Sequence, residues 1–176
     1  MNRGRVDLSE LKGLLGQDAG GKGTRRLAVA ESLTSGQVQL RIGAVSGASA
    51  YFVGGMTAYT LDQKVRHLGV DRDEAAACNC VSAAVARQMA RGAVALFDAD
   101  VGVATTGYAE VSPENGVSDP YAWWAVVERV PDGHWQEVAG RAVCLERNRN
   151  EVQAMVAERV LAELVDYLQT MAMAVD

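Results

Sequence analysis

Short apolar segments alternate with amphipathic segments along this chain, and this alternation constrains the fold more than any other feature. Residues 26–30 and 100–105 are mostly apolar and too short for a stable helix, which is typical of strands buried on both faces. Residues 83–97 carry apolar side chains at helical spacing behind Ser82, a favourable helix cap. Helices that interleave with buried strands predict an α/β fold.

The remaining segments fit one domain over residues 1–176. A hairpin is predicted around Pro131-Asp132-Gly133, and it would add antiparallel strands to the sheet. We therefore expect a single three-layer domain with a mixed β-sheet flanked by helices. The other predicted elements are a helix at 6–15 and a glycine-rich loop at 16–23 within the N-terminal segment 1–24, a strand at 51–59 bulged at Gly54-Gly55, and helices at 61–68 and 149–174.

Charge and cysteine content narrow the range of functions. The net charge is −5 and the basic residues are scattered, which argues against a nucleic-acid-binding surface. There is no apolar run long enough to cross a bilayer and no signal-peptide core, so we expect a cytoplasmic chain. Cys78, Cys80 and Cys144 lack a zinc-binding pattern, so we expect reduced thiols and no metal site. The last helix and the hairpin could serve a homodimer.

Three side chains between Gly47 and Lys64 suggest nucleophilic catalysis. Ser49, Tyr59 and Lys64 supply a hydroxyl, a phenol and an amine, the groups of a serine nucleophile activated by lysine. Only three of the 17 basic residues are lysines, and a desolvated lysine, unlike arginine, can lose its proton near neutral pH. Ser49 must approach the other two through the fold, because the intervening extended chain would hold it roughly 30 Å away. The alternative is that Lys64 is a solvated residue on a helix.

A turn of small residues follows the first buried strand and opens a helix. Free backbone N–H groups and the helix dipole favour an anion in such a turn, and serine and threonine hydroxyls could add donors. A helix cap without any ligand is the alternative. The predicted binding residues are Glu31, Ser32, Thr34, Ser35 and Gly36, with Thr106 and Gly107 from the carboxyl end of a neighbouring strand.

Three segments match motifs of one family. Residues 30–36 read AESLTSG, close to A-E-S-x-T-G-G, with Ser35 in place of a glycine. Residues 47–64 match G-S-S-A-x-F-x-x-G-x-x-x-Y-x-x-x-x-K and keep its last serine, its tyrosine and its lysine. Residues 106–111 read TGYAEV, near a T-G-I-A-G-P strand end. From about Arg26 to the last helix, the chain resembles the CinA C-terminal domain family, whose characterised members are nicotinamide-mononucleotide deamidases.

The resemblance implies hydrolysis of the carboxamide of nicotinamide mononucleotide to nicotinate mononucleotide and ammonia, in pyridine nucleotide salvage. Ser49 would attack the carboxamide carbon, and neutral Lys64 would accept the serine proton directly or through Tyr59. Backbone N–H groups near Ser49 would stabilise the oxyanion, and the phosphate would lie at residues 32–36. This chemistry needs no metal and no organic cofactor.

Departures from the family motifs leave the substrate open. Glu110 replaces a glycine of the strand-end motif and Glu114 follows it, so negative charge is expected near an anionic phosphate. Trp123 and Trp124 stand where small residues are usual, and a ring could pack in the core or narrow the pocket. The alternatives are a non-catalytic paralogue that binds a nucleotide-like ligand, an enzyme acting on a different amide, and an interaction partner in DNA uptake or damage response.

Overall fold

One mixed sheet organises the computed structural model, which describes residues 5–16, 24–145 and 147–173. Most of the glycine-rich loop predicted at 16–23 therefore lies outside the described residues. The strands are β1 (Leu27–Glu31), β2 (Phe52–Thr57), β3 (Val101–Tyr108), β4 (Tyr121–Arg129) and β5 (Trp135–Val143). Their order is β2-β1-β3-β4-β5; β1 pairs in parallel with β2 and β3, and the β3–β4 and β4–β5 pairs are antiparallel.

Helices cover both faces of this sheet, which confirms the predicted three-layer α/β fold with a mixed sheet. On one face lies α5 (Ala83–Phe97), in contact with β1, β3 and β4 and with α3 (Leu61–Leu68), which in turn contacts α4 (Arg72–Ala77). The other face carries α6 (Arg149–Met173), which contacts β4, α1 (Leu11–Leu15) and α2 (Gln37–Gly43). The site described below lies where the parallel strands end.

The alternation of side chains along β1 decides which groups face which helix layer. Leu27 and Val29 belong to the core cluster under α1, α2 and α6, whereas Ala28 and Ala30 belong to the cluster under α5. Because successive side chains of a strand point to opposite faces, the next residue on the Leu27–Val29 face is Glu31. A carboxylate is thereby directed toward the layer that contains α2.

Two predicted helical segments differ from the structure. The helix expected at 6–15 spans only Leu11–Leu15, because the Asp7 side chain accepts a hydrogen bond from the Ser9 backbone N–H at 2.9 Å and forms a local turn instead. The sequence at 71–80 predicts a polar connection with a helical turn at 74–77, and the structure has a longer helix there, α4. Its cap is Asp71, which accepts from the Glu74 backbone N–H at 2.8 Å.

The bulky rings of β4 pack against the rest of the protein. Trp124 is buried in the core on the α6 side, and a Cβ atom at Gly140 would lie 2.4 Å from its ring. Glycine at position 140 therefore makes room for the indole on the neighbouring strand. Trp123 is half-buried against the cluster on the α5 side. These contacts favour the packing interpretation of both tryptophans.

Candidate active site

The carboxylate of Glu31 occupies the beginning of α2. It accepts hydrogen bonds from the backbone N–H groups of Gly36 at 2.9 Å, Val38 at 3.1 Å and Gln39 at 2.9 Å, and the side chain is fully buried. A helix N-terminus attracts an anion, and here that anion belongs to the chain itself. The prediction of a substrate phosphate at residues 32–36 is therefore corrected, because the backbone N–H groups at the beginning of α2, where the phosphate was expected, already donate to Glu31.

A side-chain contact and a strained backbone mark the turn that follows Glu31. The buried hydroxyl of Thr34 lies 2.7 Å from that of Thr105 on β3, so it is engaged within the fold. Ser35 and Gly36 have left-handed backbone conformations, with φ of 51° and 97°. Glycine adopts this region freely and serine does not, so the serine that replaces the motif's glycine is strained.

Lys64 is almost completely buried, with 1% of its surface exposed. Its helix, α3, is capped by Thr60, whose hydroxyl accepts from the Gln63 backbone N–H at 3.4 Å. The Lys64 amine lies 2.9 Å from the backbone oxygen of Ala58, 3.1 Å from that of Tyr59 and 3.0 Å from Ser32 Oγ. The fold thus brings Lys64 to Ser32, which is itself buried.

The three contacts of the Lys64 amine suit a base. Burial lowers the pKa of Lys64, which favours the neutral form. A neutral amine has two N–H donors and one lone pair. As an ammonium, Lys64 donates to all three oxygens, that of Ser32 included. In the neutral form, the oxygens of Ala58 and Tyr59, which can only accept, take both N–H groups and leave the lone pair to accept from the hydroxyl of Ser32. A serine hydroxyl beside a buried neutral amine has the geometry of a nucleophile paired with its base.

Ser49 lies at the other end of the sheet from Lys64. It is exposed in a short 3-10 turn, Ala48–Ala50, that precedes β2, whereas Lys64 follows that strand. A strand of this length spans about 20 Å. Since β1 and β2 are parallel, the residue before β2 and the residue after β1 lie at opposite edges. The structure therefore does not assemble the predicted pair of Ser49 and Lys64, and Ser32 occupies the position expected for the nucleophile.

Tyr59 lies at the site, but its phenol faces away from the lysine. Its backbone oxygen accepts from Lys64, while its hydroxyl accepts from Arg149 Nη2 at 2.6 Å. The other arm of this guanidinium donates to the Glu110 carboxylate at 2.8 Å, and the bond to Glu110 raises the pKa of Arg149. Sequence reasoning missed Arg149, because it is brought to Tyr59 from 90 residues further along the chain.

Thr106 and Gly107 lie at the carboxyl end of β3, as predicted, but their described contacts support the fold. The Thr106 hydroxyl donates to the Cys80 backbone oxygen at 2.7 Å. A Cβ atom at Gly107 would lie 2.3 Å from the Tyr121 backbone oxygen, so close strand packing requires glycine there. Cys80 and its neighbour Asn79 both have left-handed backbone conformations. Thr106 thus holds a strained turn in place.

The fold and this side-chain pair define an α/β protein with a buried serine–lysine site at the carboxyl edge of its parallel strands. Among the described residues, no group of three or more His, Cys, Asp or Glu side chains could hold a metal ion. No helix in that part of the chain is long and apolar enough to cross a membrane.

Comparison with known proteins identifies the family. The family model of the CinA C-terminal domain matches residues 14–168, and the chain belongs to this family. A CinA-like protein of Chlorobaculum tepidum is 35% identical over 148 residues, which cover 82% of this chain and 34% of that protein. A putative competence-damage inducible protein of Halothermothrix orenii is 40% identical over 93 residues, covering 53% of this chain and 22% of that protein. The chain spans about a third or less of the length of these relatives.

Solved structures share the fold over nearly the full chain. A CinA superfamily protein from Enterobacter cloacae is 25% identical, with a TM-score of 0.78 over 96% of this chain and 98% of that one. The competence damage-inducible protein A of Klebsiella pneumoniae is 27% identical, with a TM-score of 0.72 over 82% of this chain and 87% of that one. The mixed sheet with helices on both faces is therefore the fold of this superfamily.

Proposed function

We propose that the chain is an amidohydrolase that uses Ser32 and Lys64, and that its substrate is nicotinamide mononucleotide. One observation carries the proposal: Ser32 Oγ lies 3.0 Å from a buried lysine amine whose two other contacts are backbone oxygens. A structural role alone does not account for a desolvated amine directed at a serine hydroxyl. Membership of the CinA C-terminal domain family supports the choice of substrate.

The reaction begins when Ser32 Oγ attacks the carboxamide carbon and its proton passes to the Lys64 amine. The carbonyl electron pair moves to the oxygen, which forms a tetrahedral oxyanion. The Lys64 ammonium then donates its proton to the carboxamide nitrogen, ammonia leaves, and an ester to Ser32 remains. Water attacks this ester, Lys64 takes the water proton and returns it to Ser32 Oγ, and the carboxylate product leaves.

The backbone N–H groups of Leu33 and Thr34 are the proposed oxyanion donors. Both follow the nucleophile directly, and neither donates to an acceptor within the described ranges 5–16, 24–145 and 147–173. The three backbone N–H groups that follow already have acceptors. That of Ser35 donates to Ser32 O, that of Gly36 to the Glu31 carboxylate, and that of Gln37 to Thr34 O. Glu31 thus fixes the turn that carries these two N–H groups, directly after Ser32 in the chain. Preorganised donors of this kind accelerate acyl transfer by about 10²–10³-fold each.

Arg149 takes the role of phosphate partner that the turn at 32–36 cannot fill. Its guanidinium is partly exposed, with 42% of the side-chain surface accessible. Tyr59 connects this guanidinium to the Lys64 amine: the tyrosine hydroxyl contacts Arg149, and the tyrosine backbone oxygen contacts Lys64. A planar guanidinium binds phosphate oxygens in a two-pronged geometry.

Ammonia release from nicotinamide mononucleotide tests this proposal. We expect the purified protein to release ammonia and Lys64→Met to lose at least about 10³-fold in kcat. Arg66→Met removes an exposed cation from the same helix and should stay within about twofold of the parent. Because the base must be neutral, kcat/KM should rise with pH up to the lowered pKa of Lys64 and level off above it. A folded parent that releases no ammonia would favour the non-catalytic alternative.

A further inference from the structure

The Arg149 guanidinium lies between two partners at the mouth of the site. Its Nη2 donates to the Tyr59 hydroxyl at 2.6 Å, and its Nη1 donates to the Glu110 carboxylate at 2.8 Å. Both members of the ion pair are open to solvent, with 42% of the Arg149 side chain and 60% of the Glu110 side chain exposed. A ligand can therefore reach the arm that Glu110 occupies.

A phosphate and the Glu110 carboxylate would compete for this arm. Both are anions that accept from a guanidinium in the same planar geometry. An exposed ion pair is weak, so a substrate phosphate can displace Glu110, but at a loss of affinity. A substrate without a phosphate has no such competition, because it does not need the arm.

The other acidic group of this loop has a different partner. The Glu114 carboxylate accepts from the Ser112 hydroxyl, and this bond lowers the pKa of Glu114. Of the two acidic residues singled out in the sequence, only Glu110 is thus in contact with Arg149. Glu110 also stands at a position where the strand-end motif has glycine, which could not supply such a competitor.

We infer that Glu110 determines the charge specificity of the site by occupying Arg149. It lowers the affinity for carboxamides that carry a phosphate and leaves the affinity for their unphosphorylated counterparts unchanged. The inference rests on the proposed function for the substrate class, and it assigns Glu110 to specificity rather than to the chemical step.

Calorimetric binding to Ser32→Ala protein tests the inference without turnover. The probes are nicotinamide mononucleotide and nicotinamide riboside, which differ by one phosphate. We expect Glu110→Gln in this background to tighten mononucleotide binding by about three- to fivefold, which corresponds to the upper part of the range for one exposed ion pair. Riboside binding should change by less than about twofold, and so should both ligands in the matched control Glu114→Gln.

A double-variant cycle shows whether the effect passes through Arg149. In an Arg149→Met background, Glu110→Gln should no longer tighten mononucleotide binding. An unchanged mononucleotide affinity in Glu110→Gln, an equal gain for the riboside, or no binding of either probe to any variant would overturn the inference. Because binding is measured apart from ammonia release, a parent that binds as expected but releases no ammonia contradicts the proposed function alone.

Discussion

Two serine-bearing turns, both rich in small residues, have different surroundings in the fold. Ser32, directly after β1, is 7% exposed and lies 3.0 Å from the Lys64 amine. Ser49, in the turn before β2, is exposed to solvent. The parallel pairing of β1 and β2 places these turns at opposite edges of the sheet. The comparison teaches that in a parallel sheet the reactive position follows a strand, because ligands bind outside the carboxyl ends.

The two turns also differ in what fixes their backbone. The Ser32 turn is anchored by Glu31, whose buried carboxylate accepts three backbone N–H groups of residues 36–39. The hydrogen bonds that the described residues form at the Ser49 turn join backbone groups, such as that from the Ala50 N–H to the Gly47 oxygen at 3.0 Å. A position fixed by buried, charge-assisted hydrogen bonds is suited to present a nucleophile to its base.

The largest expected effect is on activity. Ser32→Ala removes the proposed nucleophile and should lower kcat for ammonia release by at least about 10³-fold. Ser49→Ala changes an exposed residue at the far edge of the sheet and should leave kcat within about twofold. Thermal unfolding of both variants controls for folding. A loss of activity in Ser49→Ala, with Ser32→Ala active, would reverse the assignment of the two turns.

The next effect is on stability. Glu31→Gln keeps the size of the side chain but removes the charge and places an N–H donor against backbone donors. We expect the free energy of unfolding to fall by about 2–4 kcal/mol, since hydrogen bonds to a buried charged group are lost. Ser46→Ala, in the exposed segment beside the other turn, should change it by less than about 0.5 kcal/mol. Chemical denaturation measures both, and equal values would show that Glu31 is not an anchor.

The buried lysine makes stability depend on pH. Burial lowers the pKa of Lys64 from its ordinary value of 10.5, so between the lowered pKa and 10.5 the unfolded chain binds more protons than the folded protein. The free energy of unfolding should therefore rise with pH across that window. Denaturation of the parent and of Lys64→Met at several pH values isolates this contribution.

Lys12, an exposed lysine beside the Ser49 turn, provides a control for this pH dependence. Lys12 is exposed, and its side chain lies beside Gly47. The free energy of unfolding should rise with pH in Lys12→Met as steeply as in the parent, whereas the rise should be less steep in Lys64→Met. A parent whose slope matches that of Lys64→Met would mean that Lys64 is solvated, as the alternative interpretation of the sequence holds.

The smallest effects concern one left-handed residue in each turn. Ser35 has φ of 51° and Gly47 has φ of 80°. Ser35→Gly relieves strain and should raise the free energy of unfolding by about 1 kcal/mol, whereas Gly47→Ala introduces strain and should lower it by about 1 kcal/mol. Space is not the cause at position 47, because an added Cβ would meet only the Lys12 side chain at 3.7 Å. Denaturation midpoints of the two variants should move in opposite directions.

The fold was predictable from local pattern, and the site only in part. Apolar strands, helix spacing and turn residues were enough for the three-layer fold, and the scarcity of lysine directed attention to Lys64. The nucleophile was assigned to Ser49 because the motif places a serine, a tyrosine and a lysine in one continuous segment. Which serine meets the lysine depends on the parallel pairing of β1 and β2, a long-range feature that linear spacing does not contain.

The anion site shows a second limit of sequence reasoning. A helix N-terminus after a strand does predict an anion, but the pattern does not say which one. The period-two alternation Leu27, Val29, Glu31 was the available signal, because it directs the carboxylate toward the helix layer. The sequence marked Glu110 as a departure from the motif, but it gave no signal for the contact of Glu110 with Arg149, which lies 39 residues further along the chain.

Covalent labelling tests the central claim, that Ser32 and not Ser49 is activated by Lys64. The protein is treated with a serine-directed phosphonofluoridate, and the labelled peptide is identified by mass spectrometry in the parent and in Lys64→Met. We predict a label on Ser32 that forms at least about tenfold more slowly in Lys64→Met, and no label on Ser49. A label on Ser49, or equal labelling of Ser32 with and without the lysine, would contradict the account.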